Sequence, residues 1–221
     1  MSVTTDIQDG IAHIKMDDGK ANAFSHDHIN ALNDALDKAE ADAKAFVVSG
    51  RPGRFSGGFD LKVMQGATPD EVTELVKAGG RLNLRVFENK LPSVMAVTGH
   101  AMAQGAFFIL SGDTRIGIQG DFKIALPETA IGMTLPQFGI ELPKARLNPQ
   151  YHTQAVIQAK NFNPEEAREA GFLDMVVEPD KLLNTALEVA GMLSALPQES
   201  YAANKRLIRK PYIDAIRASL S

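Results

Sequence analysis

The chain has 221 residues, 44% of them hydrophobic, and a formal net charge of −4 at pH 7. That length carries one sizeable core. The acidic balance excludes a global basic field for nucleic acid, while a local anion site needs only a few aimed donors. The chain has no cysteine, which excludes disulfides and thiolate chemistry and fits a reducing cytoplasm.

The opening "MSVTTDIQDG" has neither a basic region nor an apolar run, so it does not read as a signal peptide. No segment approaches about 20 uninterrupted apolar residues, so no membrane span is expected. "IAHIKM" (Ile11 to Met16) alternates as a strand does. After the loop "DDGKANAFS", Ser25 is placed to cap a helix with Ile29, Leu32, Leu36 and Ala39 on one face. "AFVVSG" reads as a short buried strand, ended by Gly-Arg-Pro-Gly. Thr68-Pro69-Asp70 opens a helix running to about Asn89. "SVMAVTG" reads as a third buried strand. The apolar run from Gly105 to Leu110 reads as helix and "TRIGIQ" as strand. Asn163 and Gly171 bracket a later helix, "DMVVEP" is a short strand, and two helices finish the chain. This alternation predicts stacked α/β units with largely parallel sheets.

Common motifs are absent: there is no Gly-x-Ser-x-Gly elbow, no phosphate loop and no Gly-x-Gly-x-x-Gly. His26 and His28 read as a solvated helix start rather than a metal site. Asp113 reads as a loop or cap residue.

"GRFSGGFDLK" (Gly53 to Lys62) is more informative. From Val47 to Leu61 the chain reads strand, loop, Gly-Gly and helix start. The first N–H groups of a helix lack internal partners, and glycine lets a ligand come close to the backbone. One reading is a tight turn with Phe59 as a core plug and Asp60 as a cap. The other is that the Phe59 N–H faces open space at a positive helix end, where it can stabilise an oxyanion. "TGHAMAQGAFFILSGDTRIG" repeats the pattern, and two such turns supply two donors. In "FKIALPETAIGMTLP", Glu128 stands between Pro127 and apolar residues. Apolar surroundings raise a carboxyl pKa and suit it to acid–base work near neutrality.

The order of these three segments resembles the crotonase superfamily, the enoyl-CoA hydratase/isomerase group. "IAHIKMDDGKANAFS" and "NPEEAREAGFLDMVVEPDKL" extend the likeness from about Ile11 to about Leu207. The resemblance implies an α/β fold of the ClpP/crotonase kind, a spiral of β-β-α units with a helical C-terminal region. It implies one domain over 1–221, with the spiral over about 1–160 and a shortened helical region over about 161–221. It implies an acyl-CoA thioester substrate, with coenzyme A entering as part of that substrate, no permanently bound cofactor and no metal. By motif position the two oxyanion donors are the N–H groups of Phe59 and Gln104, with Glu128 as the catalytic acid–base. CoA is expected along Lys20, Ala21, Ala23, Phe24, Ser56, Gly57, Gly58, Asp60, Leu61 and Lys62, with Arg54 beside it. Met102, Gly105, Pro127, Ile131 and Gly132 complete the expected substrate site. The resemblance also implies a homotrimer or a pair of trimers, with no nucleic acid or membrane partner.

Two features depart from the family pattern. Hydratases of the family use two glutamates, and the position of the first holds Phe107 here. A double-bond shift needs one proton shuttle, so a 3-enoyl-CoA to 2-enoyl-CoA isomerase fits better than a hydratase. His100 and Glu141 are candidates to replace the missing group. The second departure is the shortened C-terminal region. Its basic helix "YAANKRLIRKPYIDAIRASL" is read as solvated, with CoA phosphates or a partner subunit as alternatives. A non-catalytic acyl-CoA binder is the alternative of another class. A peptidase would need Ser111 and His100 to meet, and no spacing unites them.

Overall fold

The computed structural model describes residues 3–221. β1 (Val3–Gln8) and β2 (Ile11–Met16) form an antiparallel hairpin. Its turn uses Asp9 and Gly10 at φ 51° and 76°, the left-handed region such turns require. β3 (Ala45–Ser49), β5 (Ser93–Val97), β7 (Thr114–Ile118) and β9 (Met175–Val177) then add in parallel, giving a six-stranded sheet ordered β1-β2-β3-β5-β7-β9. A second sheet holds β4 (Gly53–Ser56), β6 (Gly99–Met102) and β8 (Ile124–Ala125), also parallel. The chain thus coils, leaving one strand in each sheet per turn.

β3 and β5 are buried along their whole length, as strands covered on both faces must be. Alternate residues serve two cores. Phe46, Val48, Met95 and Val97 face a large cluster with α1 (His26–Asp42), α3 (Pro69–Phe87) and α4 (Gln104–Ser111). Ala45, Val47, Val94 and Ala96 face Leu182, Ala186 and Ala190 of α7 (Leu182–Ser194). The helix signals act as read. The Ser25 hydroxyl accepts from the His28 N–H, and Thr68 with Glu71 forms a capping box. α6 (Pro164–Ala170) has its own box from Asn163 and Glu166 and ends on Gly171 in the left-handed region.

α8 (Gln198–Ser219) overturns the expectation of a solvated terminal helix. Its Ile213 and Ile216 lie in the main core, and its Lys205 and Arg209 are buried. Both cations reach Asp113, at 2.6 and 2.9 Å, and the Tyr201 hydroxyl donates to the same carboxylate at 2.8 Å. Lys205 also donates to the Leu91 carbonyl, and Arg209 to that of Phe87. Asp113, read as a loop or cap residue, does lie in the bend between α4 and β7, and it is also a buried anchor for α8. Burial alone would raise its pKa, but Lys205 and Arg209 outweigh this and hold it below the ordinary carboxylate value.

Candidate active site

The three strands of the small sheet run in one direction, and the residues just beyond their C-terminal ends meet at one cavity. β4 leads to Gly57 and Phe59, β6 to Met102 and Ala103, and β8 to Pro127 and Glu128; all six line a space of about 660 Å³. Parallel α/β sheets present their ligand sites at this end.

The first strand end is fixed by the loop before α1. Gly57 N–H donates to the Ala21 carbonyl, Phe24 N–H to that of Gly58, and Asp60 N–H to that of Phe24. Asn22, buried at φ 49°, donates from its side chain to the carbonyls of Met16 and Phe55, while its own carbonyl accepts from the Ser56 hydroxyl. Asp60 caps α2 (Leu61–Gly66) by accepting from the Lys62 and Val63 N–H groups. The Phe59 ring plugs against α3: a Cβ placed on Gly79 would lie 2.7 Å from its Cζ. Plug and cap are both real, and they leave the Phe59 N–H between them.

The second strand end turns at Ala103, whose φ of 50° and ψ of −121° are seldom adopted by an L-residue. The Ala103 carbonyl accepts from the Ala106 and Phe107 N–H groups, so Gln104 becomes the first residue of α4. Gly58 brings the two turns together. At φ +95°, a Cβ there would stand 3.0 Å from Ala103 Cβ and 3.6 Å from the Gln104 nitrogen. Among the described residues, neither the Phe59 nor the Gln104 N–H donates to the turns around it.

At the third strand end, Glu128 opens a 3-10 turn, Glu128–Ile131, that Gly132 closes in the left-handed region. Thr129 ties this turn to the Val156 carbonyl. Glu128 is 6% exposed, and its Oε2 has no hydrogen-bond partner among the described residues. Burial pushes its pKa up to about 7, against a smaller lowering by its own backbone N–H. It is the one acidic side chain lining the cavity among the described residues.

Phe107 also lines the cavity, held edge-on to Phe138 at 5.5 Å. Neither candidate replacement for a second acid lines the cavity. His100 Nδ1 accepts from the Lys123 N–H, and its ring packs on Phe122. Glu141 is buried on α5 (Gln137–Arg146), where Gln137 and Lys144 donate to it. Ser111 is buried and donates to the Phe108 carbonyl, apart from His100.

Of the other residues expected at the substrate, Leu61 and Ile131 line the cavity as well. Phe24 and Ser56 are fully buried and act as structure. Gly105 clears room for Ser56, whose Cβ would lie 2.7 Å from a Cβ at 105. Ala21, Ala23, Gly58, Asp60 and Gly132 shape the turns without lining the space. Lys20, Arg54 and Lys62 are exposed, and none lines the cavity. Sequence reasoning missed the far wall: Met64, Val72, Val76, Met133, Phe138 and, from α8, Ser219. Val72 and Val76 carried a signal, being one turn apart on α3, but they read as core.

The coil of paired sheets, with backbone turns and a desolvated carboxyl at the strand ends, defines a protein of the crotonase fold. The family model for enoyl-CoA hydratase/isomerase matches residues 6–220, and the chain belongs to that family. It is thus an enzyme of the enoyl-CoA hydratase/isomerase type. Human mitochondrial enoyl-CoA delta isomerase 1 is 30% identical over 213 residues, covering 94% of this chain and 70% of that protein. An enoyl-CoA hydratase/isomerase family protein from Pseudomonas syringae is 42% identical, with a TM-score of 0.96 over 99% of this chain and 95% of the other. A probable enoyl-CoA hydratase from Mycobacterium tuberculosis is 38% identical, with a TM-score of 0.95 over 100% and 93%. Among the described residues, no helix is long and apolar enough to cross a membrane.

Proposed function

We propose that this enzyme moves the double bond of a 3-enoyl-CoA to the 2-position, using Glu128 as its single proton shuttle. The observation that carries this reading is the pairing of Glu128 with Phe107: one carboxyl, with a pKa near 7, and an aromatic ring where a second acid would be needed.

The ionised Glu128 takes a proton from the carbon next to the thioester carbonyl. The electrons delocalise over the double bond and the carbonyl oxygen, giving a dienolate. The N–H groups of Phe59 and Gln104 donate to that oxygen, which gains charge as the transition state is reached. The protonated Glu128 then returns its proton two carbons further along the chain. A pKa near neutrality suits both transfers. The apolar wall excludes water, which protects the dienolate and strengthens the donors.

The CoA portion is read as lying along the joined loops at Lys20 to Phe24 and Ser56 to Lys62, where exposed Lys20, Arg54 and Lys62 can meet phosphates. The chain is further read as one domain, as an enzyme of fatty acid metabolism, as cytoplasmic, and as a subunit of a homotrimer or pair of trimers. Exposed Leu207 and Ile208 on α8, at 70% and 76%, support the last of these.

A spectrophotometric assay with a 3-enoyl-CoA, a 2-enoyl-CoA and Glu128→Gln tests the reaction. Conversion of the 3-enoyl-CoA that is lost in the variant, with little hydration of the 2-enoyl-CoA, is expected. Rapid hydration would replace the isomerase reading with a hydratase one. Tight CoA binding without turnover of either substrate would favour a binder.

A further inference from the structure

We infer that the side-chain amides of Gln104 and Asn83 act as a positioning pair, setting where the Gln104 N–H points. This rests on the proposed role of that N–H toward the thioester oxygen.

Both side chains are fully buried. Asn83 Nδ2 donates to Gln104 Oε1 at 3.2 Å, and Gln104 Nε2 donates back to Asn83 Oδ1 at 3.1 Å. Gln104 Nε2 also donates to the Gly79 carbonyl at 3.3 Å. No polar atom of either side chain is left unpartnered. The pair therefore bolts the first residue of α4 to the middle of α3.

α4 needs such a bolt. Its N-cap residue, Ala103, offers no capping side chain and holds a strained backbone. Every other residue from Gly105 to Leu110 is apolar, and apolar packing is non-directional. It resists the loss of the helix more than its rotation. A two-way amide bond is directional and fixes the helix about its axis.

The same turn of α3 holds the other donor segment. A Cβ on Gly79 would lie 2.7 Å from Phe59 Cζ and 3.1 Å from Gln104 Nε2. One helical turn thus sets the positions of Phe59 and Gln104 relative to each other.

The test is infrared spectroscopy of a saturated acyl-CoA, labelled with ¹³C at the thioester carbonyl and bound to the enzyme. The carbonyl stretch moves to lower frequency as its donors strengthen, whatever proton chemistry Glu128 performs. Asn83→Leu and Gln104→Leu should lose much of this shift. Their kcat should fall about tenfold or more, with KM changed much less, as misplacement of a donor predicts. The transposed variant Asn83→Gln with Gln104→Asn keeps both amides and should recover most of both readouts. Thermal unfolding reports that each variant is folded. Should Asn83→Leu fail to fold, Gly79→Ala takes its place, since it displaces the amide and the Phe59 ring within a better helix former. Folded Asn83→Leu or Gly79→Ala with the wild-type shift and kcat overturns the inference. A wild-type enzyme with no carbonyl shift overturns the two-donor reading itself, and this inference with it. Loss of turnover in Glu128→Gln with the shift retained leaves both standing.

Discussion

Gly58 and Ala103 approach so closely that a methyl group on the glycine would stand 3.0 Å from the alanine Cβ and 3.0 Å from the Met102 carbonyl oxygen. The first consequence is a prediction for Gly58→Ala. Its φ of +95° is strained for alanine, and the new carbon forces the two turns apart. Stability should fall by about 1–3 kcal/mol. On the proposed mechanism turnover should fall at least tenfold, because both proposed donors move. Urea unfolding and steady-state kinetics measure the two effects. A stable variant with full turnover would refute the close-turn account.

Glu128 should leave its mark on stability. Its carboxyl is ordinary when unfolded, near 4.5, and titrates at about 7 when folded. The penalty for ionising it in the fold is absent below about 4.5, grows between 4.5 and 7, and is complete above 7. Glu128→Gln removes the penalty. Relative to wild type, the variant should therefore gain about 3 kcal/mol of stability on going from pH 4 to pH 8. Unfolding curves at both pH values check this, and a pH-independent difference would contradict it.

The same titration should shape the kinetics. In the proposed mechanism the first proton transfer needs ionised Glu128, so kcat/KM should rise with pH, level off above about 7, and show one ionisation on its acidic limb. A pH–rate profile with a second carboxyl ionisation would require an acid other than Glu128.

Phe107→Glu adds a second carboxyl to the cavity wall. Phe107 is 2% exposed and packs on Phe138, so the variant should be destabilised by about 3–5 kcal/mol. Its ratio of 2-enoyl-CoA hydration to 3-enoyl-CoA isomerisation should rise at least tenfold, about 1.4 kcal/mol in relative barrier. Product analysis by chromatography decides this. An unchanged ratio would show that the missing acid does not select the reaction.

Asp113→Ala should act on stability alone. It leaves Lys205 and Arg209 buried without their acid, a change worth about 3–5 kcal/mol. Asp113 has its folded pKa held below the ordinary value, so its contribution is present at neutral pH and is lost as pH falls through that folded pKa. The gap to wild type should narrow in acid. The pH–rate profile of the folded variant should match wild type.

Much of this architecture is legible in the sequence because the signals are local. Ser25, Thr68-Pro69 and Asn163 announce helices by capping chemistry, and the runs at Ala45 and Ser93 announce buried strands. β4, β6 and β8 are not legible. At four, four and two residues they are too short for periodicity, and each exists through its pairing with a strand far away in the chain. β1 is also missed, since Thr4, Asp6 and Gln8 are exposed and only Val3 is buried, which leaves little apolar alternation to read. At the site, Glu128 and the Gly-Gly turn stand out because carboxyl and glycine carry local meaning. The far wall and the Asn83–Gln104 pair do not, because helix phase and side-chain partners are settled by packing.

Among the described residues, none of the six-stranded sheet lines the cavity; the end of β6, the loops and 3-10 turn beyond the small sheet's strands, and the helices supply it. The molecule thus separates foundation from workshop. Substitutions in β1, β2, β3, β5, β7 and β9 can raise or lower robustness without retuning selectivity, whereas the wall residues are free to change with the acyl chain they admit. Directed evolution of this scaffold toward other acyl groups therefore has a short list of positions to vary, none of them in the sheet that holds the coil together.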